Sequence, residues 1–194
     1  MRLTFQILAS LREINMEKQL KHISKFMSLV LRHKPEEIGL QLDENGWASA
    51  SELIEKMNQY GIKVSQEIIE TVVATNDKKR FAFNEDRTRI RASQGHSVEI
   101  DLALLPAEPP EQLFHGTAEK NISSILQKGI QKMNRQHVHL SKDKETAVNV
   151  GSRHGKPVVL TIHAGQMYKD GLLFWLSANG VWLTDFVEAK YISV

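Results

Sequence analysis

Arg32-His33 sets a guanidinium beside an imidazole, a pair able to grip a phosphate dianion from two sides and to move a proton near neutral pH. Taken alone, that dipeptide is more often structural or simply exposed. Further along, Asn76-Asp77-Lys78-Lys79-Arg80-Phe81 gathers cations where a helical pattern gives way to a strand. Arg91-Ala92-Ser93-Gln94-Gly95-His96-Ser97 then collects a guanidinium, an amide, a glycine and an imidazole. A polar wing-tip loop and an RNA-contact loop fit that composition equally. Between Asp77 and Arg91 six basic residues (Lys78, Lys79, Arg80, Arg87, Arg89, Arg91) stand against three acidic ones (Asp77, Glu85, Asp86). Such a patch suits a phosphate-bearing partner better than a membrane surface. The lysines at 18, 21 and 25 cluster opposite the apolar stripe of their helix and read as a solvated face.

A second group lies in the C-terminal half. His115-Gly116-Thr117 follows a strand pattern and precedes a helical one, so Gly116 is expected to let backbone N–H groups approach an anion and Thr117 to cap the helix. His137, His139 and Ser141 share one side of a regular strand. Three histidines (115, 137, 139) raise a zinc site, but no acidic partner stands at a metal-ligand spacing and HExxH is absent, so no metal is expected. Gly151-Ser152-Arg153-His154-Gly155-Lys156 misses the phosphate-loop template by one residue between the glycines and lacks Ser or Thr after the lysine. GxGxxG is also absent, which excludes a Rossmann dinucleotide site.

The elements that must position these groups fall into two sets. Leu20, Ile23, Met27, Val30 and Leu31 mark one face of a helix beginning near Met16. Ser49 with Glu52 opens a second helix that Gly61 closes, and Ile68, Ile69, Val72 and Val73 give a third. Residues 80–83 and 88–91 flank a polar turn as a hairpin, so the N-terminal part has the layout of a winged helix. Beyond it, strands are expected at 113–115, 137–140, 157–162 and 172–176. Asn179-Gly180 marks a tight hairpin into Val181-Trp182-Leu183, and one helix around Ile122, Ile125 and Leu126 ends at Gly129. Few helices among many strands predict an α+β fold rather than a doubly wound sheet. Three of the five prolines fall in residues 105–111, which reads as a stiff linker. The expected division is a leader over 1–15, poorly ordered; a lobe over 16–104; the linker; and a lobe over 112–194.

Composition narrows the class. Of 194 residues 41% are hydrophobic and 25% charged, as in an ordinary globular chain, and no apolar run approaches the roughly 20 residues of a membrane helix. Cysteine is absent, which rules out disulfides and thiolate metal sites and agrees with a cytoplasmic location. A net charge of +2 argues no partner by itself. The first residues carry no small-residue cleavage site, so a secretory signal is not expected.

Eight segments, in order, resemble the signature blocks of the RNA 2′-phosphotransferase family. They are Leu31-Arg32-His33-Lys34-Pro35, Gly46-Trp47, Asn76 to Phe81, Ile90 to Ser97, His115-Gly116-Thr117, His137 to Ser141, Gly151 to Pro157 and Asn179 to Thr184. The resemblance runs from about Met16 to the C-terminus. It implies an N-terminal winged-helix RNA lobe, a C-terminal ADP-ribosyltransferase-like NAD lobe and an active site in the cleft between them. It also implies a two-step reaction. An internal RNA 2′-phosphate, of the tRNA splice-junction type, attacks the nicotinamide ribose of NAD, and the ribose 2″-hydroxyl then displaces the RNA. The products are 2′-OH RNA, nicotinamide and ADP-ribose 1″,2″-cyclic phosphate. By block matching the catalytic set falls on Arg32, His33, Arg80 and Arg135. NAD binding falls on His115, Gly116, Thr117, His139, Ser141, Gly151, Arg153, His154 and Gly155; RNA binding falls on Lys78, Arg91, Gln94 and His96. A monomer acting on RNA, without metal or membrane, is expected. Phe186-Val187-Glu188 departs from the pattern, where a proline is expected after the valine. Two other classes remain: a winged-helix regulator sensing a nucleotide, and an ADP-ribosyltransferase that caps phosphorylated nucleic-acid ends and stops after the first step.

Overall fold

The apolar spacing from Leu20 to Leu31 becomes the buried face of a long helix, α1 (Arg2–Arg32), with Ile23, Met27, Val30 and Leu31 at its core. The computed structural model describes residues 2–194, with side chains from Ile14 onward. Apart from Ile14 and Asn15, the expected leader lies outside the fully described residues. Pro35 disfavours a helical residue before it, and a single 3-10 turn follows at Pro35–Ile38, closed by Gly39 at φ +63°.

Two compact units divide the chain, residues 1–102 and 103–194. In the first, β1 (Ala48–Ser49) leads directly into α2 (Ala50–Gln59), whose start is fixed by the Ser49 hydroxyl accepting the Glu52 N–H at 3.3 Å. Ser65 caps α3 (Gln66–Ala74) in the same way through Ile68. The hairpin of β2 (Phe81–Phe83) and β3 (Arg89–Ala92) pairs antiparallel, and β1 adds to it in the order β1-β3-β2. Helices and sheet close over Met27, Leu31, Leu53, Met57, Ile69, Phe81 and Ile90. Fully burying side chains of this size contributes roughly 1.5–3 kcal/mol each.

The second unit mixes short helices with antiparallel strands. Its elements are β4 (Leu113–Ala118), α4 (Ile122–Lys128), β5 (Ile130–Gln131), β6 (Val138–Leu140), α5 (Lys144–Gly151), β7 (Pro157–Ile162), α6 (Ala164–Lys169), β8 (Trp175–Leu176), β9 (Trp182–Thr184), β10 (Phe186–Val187) and β11 (Ile192–Ser193). They form the sheets β11-β7-β4 and β6-β9-β8, with a small β10-β5 pair. Reciprocal backbone bonds between Phe114 and Ser141 tie the two larger sheets together. Asn179-Gly180 sits in the β8–β9 turn, with Gly180 at φ +79° and Ser177 N–H bonded to the Val181 carbonyl.

Two expectations change here. Gly116 and Thr117 continue β4 rather than leaving it, so Thr117 caps no helix and Gly116 presents no loop N–H groups to an anion. The glycine answers a packing need instead. A Cβ at Gly116 would lie 1.7 Å from the Ala147 carbonyl oxygen, so α5 rests on the strand backbone itself. Gly151 repeats the arrangement from the helix side, where a Cβ would approach the Thr117 oxygen at 2.8 Å. The proline-rich segment, expected as a stiff linker, makes contacts with the second unit. Pro106 bridges Trp175, Ala107 donates to the Phe174 carbonyl at 2.8 Å and Pro109 is buried.

Candidate functional site

In the first unit, the end of α1 and the turn before β2 meet. Arg32 is the last residue of α1, and its Nη2 donates to the Arg80 carbonyl at 3.3 Å, with the guanidinium 6.0 Å from the Phe81 ring centroid. The organiser of the turn is Asn76. Its Oδ1 accepts from the Arg80 backbone N–H (3.4 Å), Arg80 Nη1 (3.1 Å) and the Lys78 N–H (3.2 Å), while its Nδ2 donates to Ser24 Oγ on α1 at 3.0 Å. One amide therefore aims Arg80 and anchors the turn to the helix, with Lys79 forced to φ +42°. The Arg80 carbonyl is held from the other side by the Ser93 N–H. Arg32, Arg80 and exposed His33 thus gather around one end of the helix, and exposed Lys78 flanks them.

The loop after β3 docks on the same helix end. The Ser97 and Val98 N–H groups both donate to the Arg32 carbonyl, at 2.9 and 3.3 Å, which satisfies an acceptor a helix terminus leaves open. The His33 Nδ1 lies 3.0 Å from Ser97 Oγ. The Arg91 guanidinium lies over Trp47, 4.5 Å from the ring centroid, and reaches the Asn45 carbonyl. Gln94 is half-buried. His96, expected to touch RNA, is only 1% exposed, and neither ring nitrogen has a hydrogen-bond partner among the described residues. Burial, then repulsion from Arg32, His33 and Arg91, holds its pKa down at about 3. His96 is therefore a neutral group beneath the site, with no ring atom on the surface.

In the second unit the partners of His115 and His139 set their tautomers. His115 Nδ1 lies 3.2 Å from the His139 carbonyl, which can only accept, so Nδ1 carries the proton. Burial, opposed by that carbonyl and aided by Arg135, lowers the pKa of His115, so its Nε2 is a bare acceptor. Arg135 Nη1 lies 2.7 Å from His139 Nδ1; a guanidinium only donates, so neutral His139 carries its proton on Nε2. Arg153 stands close enough for its charge to oppose that of Arg135. His115, His139, Arg135 and Arg153 form one cluster offering an acceptor, a donor and two cations.

The remaining expected residues are held by other contacts or lie exposed. Thr117 is buried and its Oγ1 accepts from Asn121. Ser141 contributes its backbone to the sheet bridge. Gly151 ends α5, and His154 and Gly155 lie exposed in the turn beyond, at a helix C-terminus whose dipole does not favour anions. His137 packs against Trp175 with ring centroids 5.1 Å apart. Among the described residues no group of three or more His, Asp or Glu side chains could hold a metal, and no helix is long and apolar enough to cross a membrane. Asn76 and Ser97 make contacts at this helix end that sequence reasoning did not assign. An Asx-turn signal in Asn76-Asp77-Lys78-Lys79 could have found the first.

Comparison with known proteins places these residues in context. Residues 18–186 match the family described as RNA 2′-phosphotransferase, Tpt1/KptA. The chain is 62% identical over 172 residues to a protein of Flavobacterium johnsoniae named "Probable RNA 2′-phosphotransferase", covering 89% of this chain and 94% of that one. Proteins of the same name from Acaryochloris marina and Fusobacterium nucleatum are 56% and 55% identical, covering 91% and 88% of this chain and 97% and 96% of theirs.

Proposed function

Since the chain belongs to the RNA 2′-phosphotransferase, Tpt1/KptA family, we propose that it removes an internal 2′-phosphate from RNA by transfer to NAD. In this reading the first unit is a winged-helix RNA lobe and the second an ADP-ribosyltransferase-like NAD lobe. The first unit's three helices and three-stranded antiparallel sheet support the one; the second unit's paired histidines on antiparallel strands support the other.

The observation that carries the reading is the gathering of Arg32, His33 and Arg80 at one helix end. A phosphate monoester holds about −1.5 to −2 charges near neutral pH, and two guanidiniums with an imidazole match it without a metal. Arg135, in the second unit's cluster, is assigned to the same task. A 2′-phosphate oxygen bonds to the nicotinamide-bearing ribose carbon, and the bond to nicotinamide breaks. The ribose 2″-hydroxyl oxygen then bonds to phosphorus, the bond to the RNA 2′-oxygen breaks, and the hydroxyl proton passes to that oxygen. His33 is the group of this set able to carry the proton. On the NAD side, the His115 Nε2 acceptor and the His139 Nε2–H donor suit ribose hydroxyls, and Arg135 and Arg153 suit anionic oxygens.

Incubation with NAD and an RNA bearing one internal 2′-phosphate tests the reading. The expected products are nicotinamide, 2′-OH RNA and ADP-ribose 1″,2″-cyclic phosphate. Nicotinamide with a stable ADP-ribosylated RNA would instead indicate a capping transferase, and no NAD turnover a nucleotide-sensing regulator.

A further inference from the structure

We propose that Ser97 is a positioning residue for His33, completing a relay from the Arg32 carbonyl through the serine hydroxyl to Nδ1 and leaving Nε2 as the nitrogen that exchanges the proton. The inference rests on the reading of His33 as the proton carrier, and its test separates the two.

Ser97 is bound to the helix end by its backbone, because its N–H donates to the Arg32 carbonyl at 2.9 Å. The loop's place is thus fixed before the side chain is considered. From there the hydroxyl has two partners: the same carbonyl oxygen at 3.5 Å and His33 Nδ1 at 3.0 Å. A hydroxyl has one proton to give. The carbonyl can only accept, and it already takes the Ser97 and Val98 N–H groups; when the serine proton adds a third, longer contact to it, Oγ must accept from Nδ1–H. That arrangement satisfies all three groups with neutral His33 as the Nδ1–H tautomer, and it persists when Nε2 is protonated too. The relay therefore tolerates both protonation states, as a shuttle requires, while holding the ring in one orientation.

Neighbouring groups fix the loop. Ser93 ties one end to the turn through the Arg80 and Lys79 carbonyls, and buried, uncharged His96 fills the space behind it. Gly46 makes room for this packing: at φ +76°, a Cβ there would meet the Ile100 side chain at 2.7 Å and the His96 Nε2 at 3.6 Å.

The test uses the full chain with Ser97→Ala and Ser97→Thr. Alanine keeps the backbone bond to Arg32 and removes only the hydroxyl. Nitrogen-resolved NMR of the imidazoles, with the His33 signal assigned through His33→Ala, reads the tautomer without any turnover. We expect wild type and Ser97→Thr to show the Nδ1–H form and Ser97→Ala to shift to the Nε2–H form. The maximal rate of Ser97→Ala should fall on the order of tenfold, part of the roughly 10²–10⁴-fold that a positioned acid–base group supplies, with KM unchanged for RNA and NAD. An unchanged tautomer in Ser97→Ala overturns the proposal, as does a rate loss accompanied by raised KM for RNA, which would make Ser97 a binding residue. If the tautomer shifts while His33→Ala retains full activity, Ser97 still positions His33 and the proton-carrier reading is what fails.

Discussion

The two units hold their candidate histidines in opposite ways. At the end of α1, His33 is exposed and touches a hydroxyl, and Arg80 beside it is aimed by the side-chain amide of Asn76. In the second unit, His115 is pinned to a strand carbonyl, His139 is fixed by a guanidinium, and the strand carrying His115 is pressed against α5 with no room for a methyl group. The first site is made of side chains set on a finished core. The second is tied in part to the backbone, through the carbonyl on His115 and the close strand–helix contact beside it. Substitutions should accordingly cost activity in the first unit and stability in the second.

The largest effect expected is from Gly116→Ala. Its Cβ would fall 1.7 Å from the Ala147 oxygen and 2.6 Å from the Ala147 carbonyl carbon, both backbone atoms, so strand and helix must separate. The cost should be on the order of 3 kcal/mol, read as a lowered midpoint of thermal unfolding. A variant with wild-type stability would break the contrast.

Arg80→Ala supplies the opposite case. It should lower activity about 10²–10³-fold, as loss of one transition-state donor does, with an unchanged unfolding midpoint. Arg80→Lys should rescue poorly, since an ammonium cannot make the bidentate contact of the guanidinium fork. Wild-type turnover in the lysine variant would remove Arg80 from the site.

The smallest of the three effects is one of pH, and it qualifies the comparison because the first unit also has one buried imidazole. His96 has a folded pKa of about 3 against an ordinary value of 6.5, so between those values the unfolded chain binds more protons. Its contribution to stability is therefore complete above pH 6.5 and is lost as pH falls toward 3. From pH 7 to pH 5 the loss should be about 2 kcal/mol. Urea midpoints at the two pH values should differ less in His96→Leu than in wild type, and an equal difference in both would show that His96 is not held neutral.

How far the sequence foretold this arrangement depended on the range of the contacts involved. The α1 stripe, the Ser49 cap and the hairpin after Arg80 were legible because each is decided within a few residues. Gly116 was misread because glycine marks a turn when judged locally, whereas here it answers α5, some thirty positions further on. The short helices α5 and α6 were missed for want of a long apolar period. Ser97 meets His33 from 64 residues away, so no spacing pattern could reveal it, whereas Asn76 joins a local turn to Ser24, 52 residues back. Site residues other than Arg32-His33 were singled out by the order of family blocks more than by spacing.

The segment bearing Pro106 and Ala107 has a bearing on self-association. β8 is the outer strand of β6-β9-β8, and Pro106 and Ala107 lie along it at Trp175 and Phe174. An open outer strand is a template on which other chains can polymerise, and a proline, which has no N–H to offer, is a natural terminator for such growth. The second unit so carries its own cover against aggregation in residues 103–110, ahead of its first long strand. A fragment begun at residue 112 would shed that cover and expose Trp175 at the bare edge, whereas one begun at residue 103 would retain it.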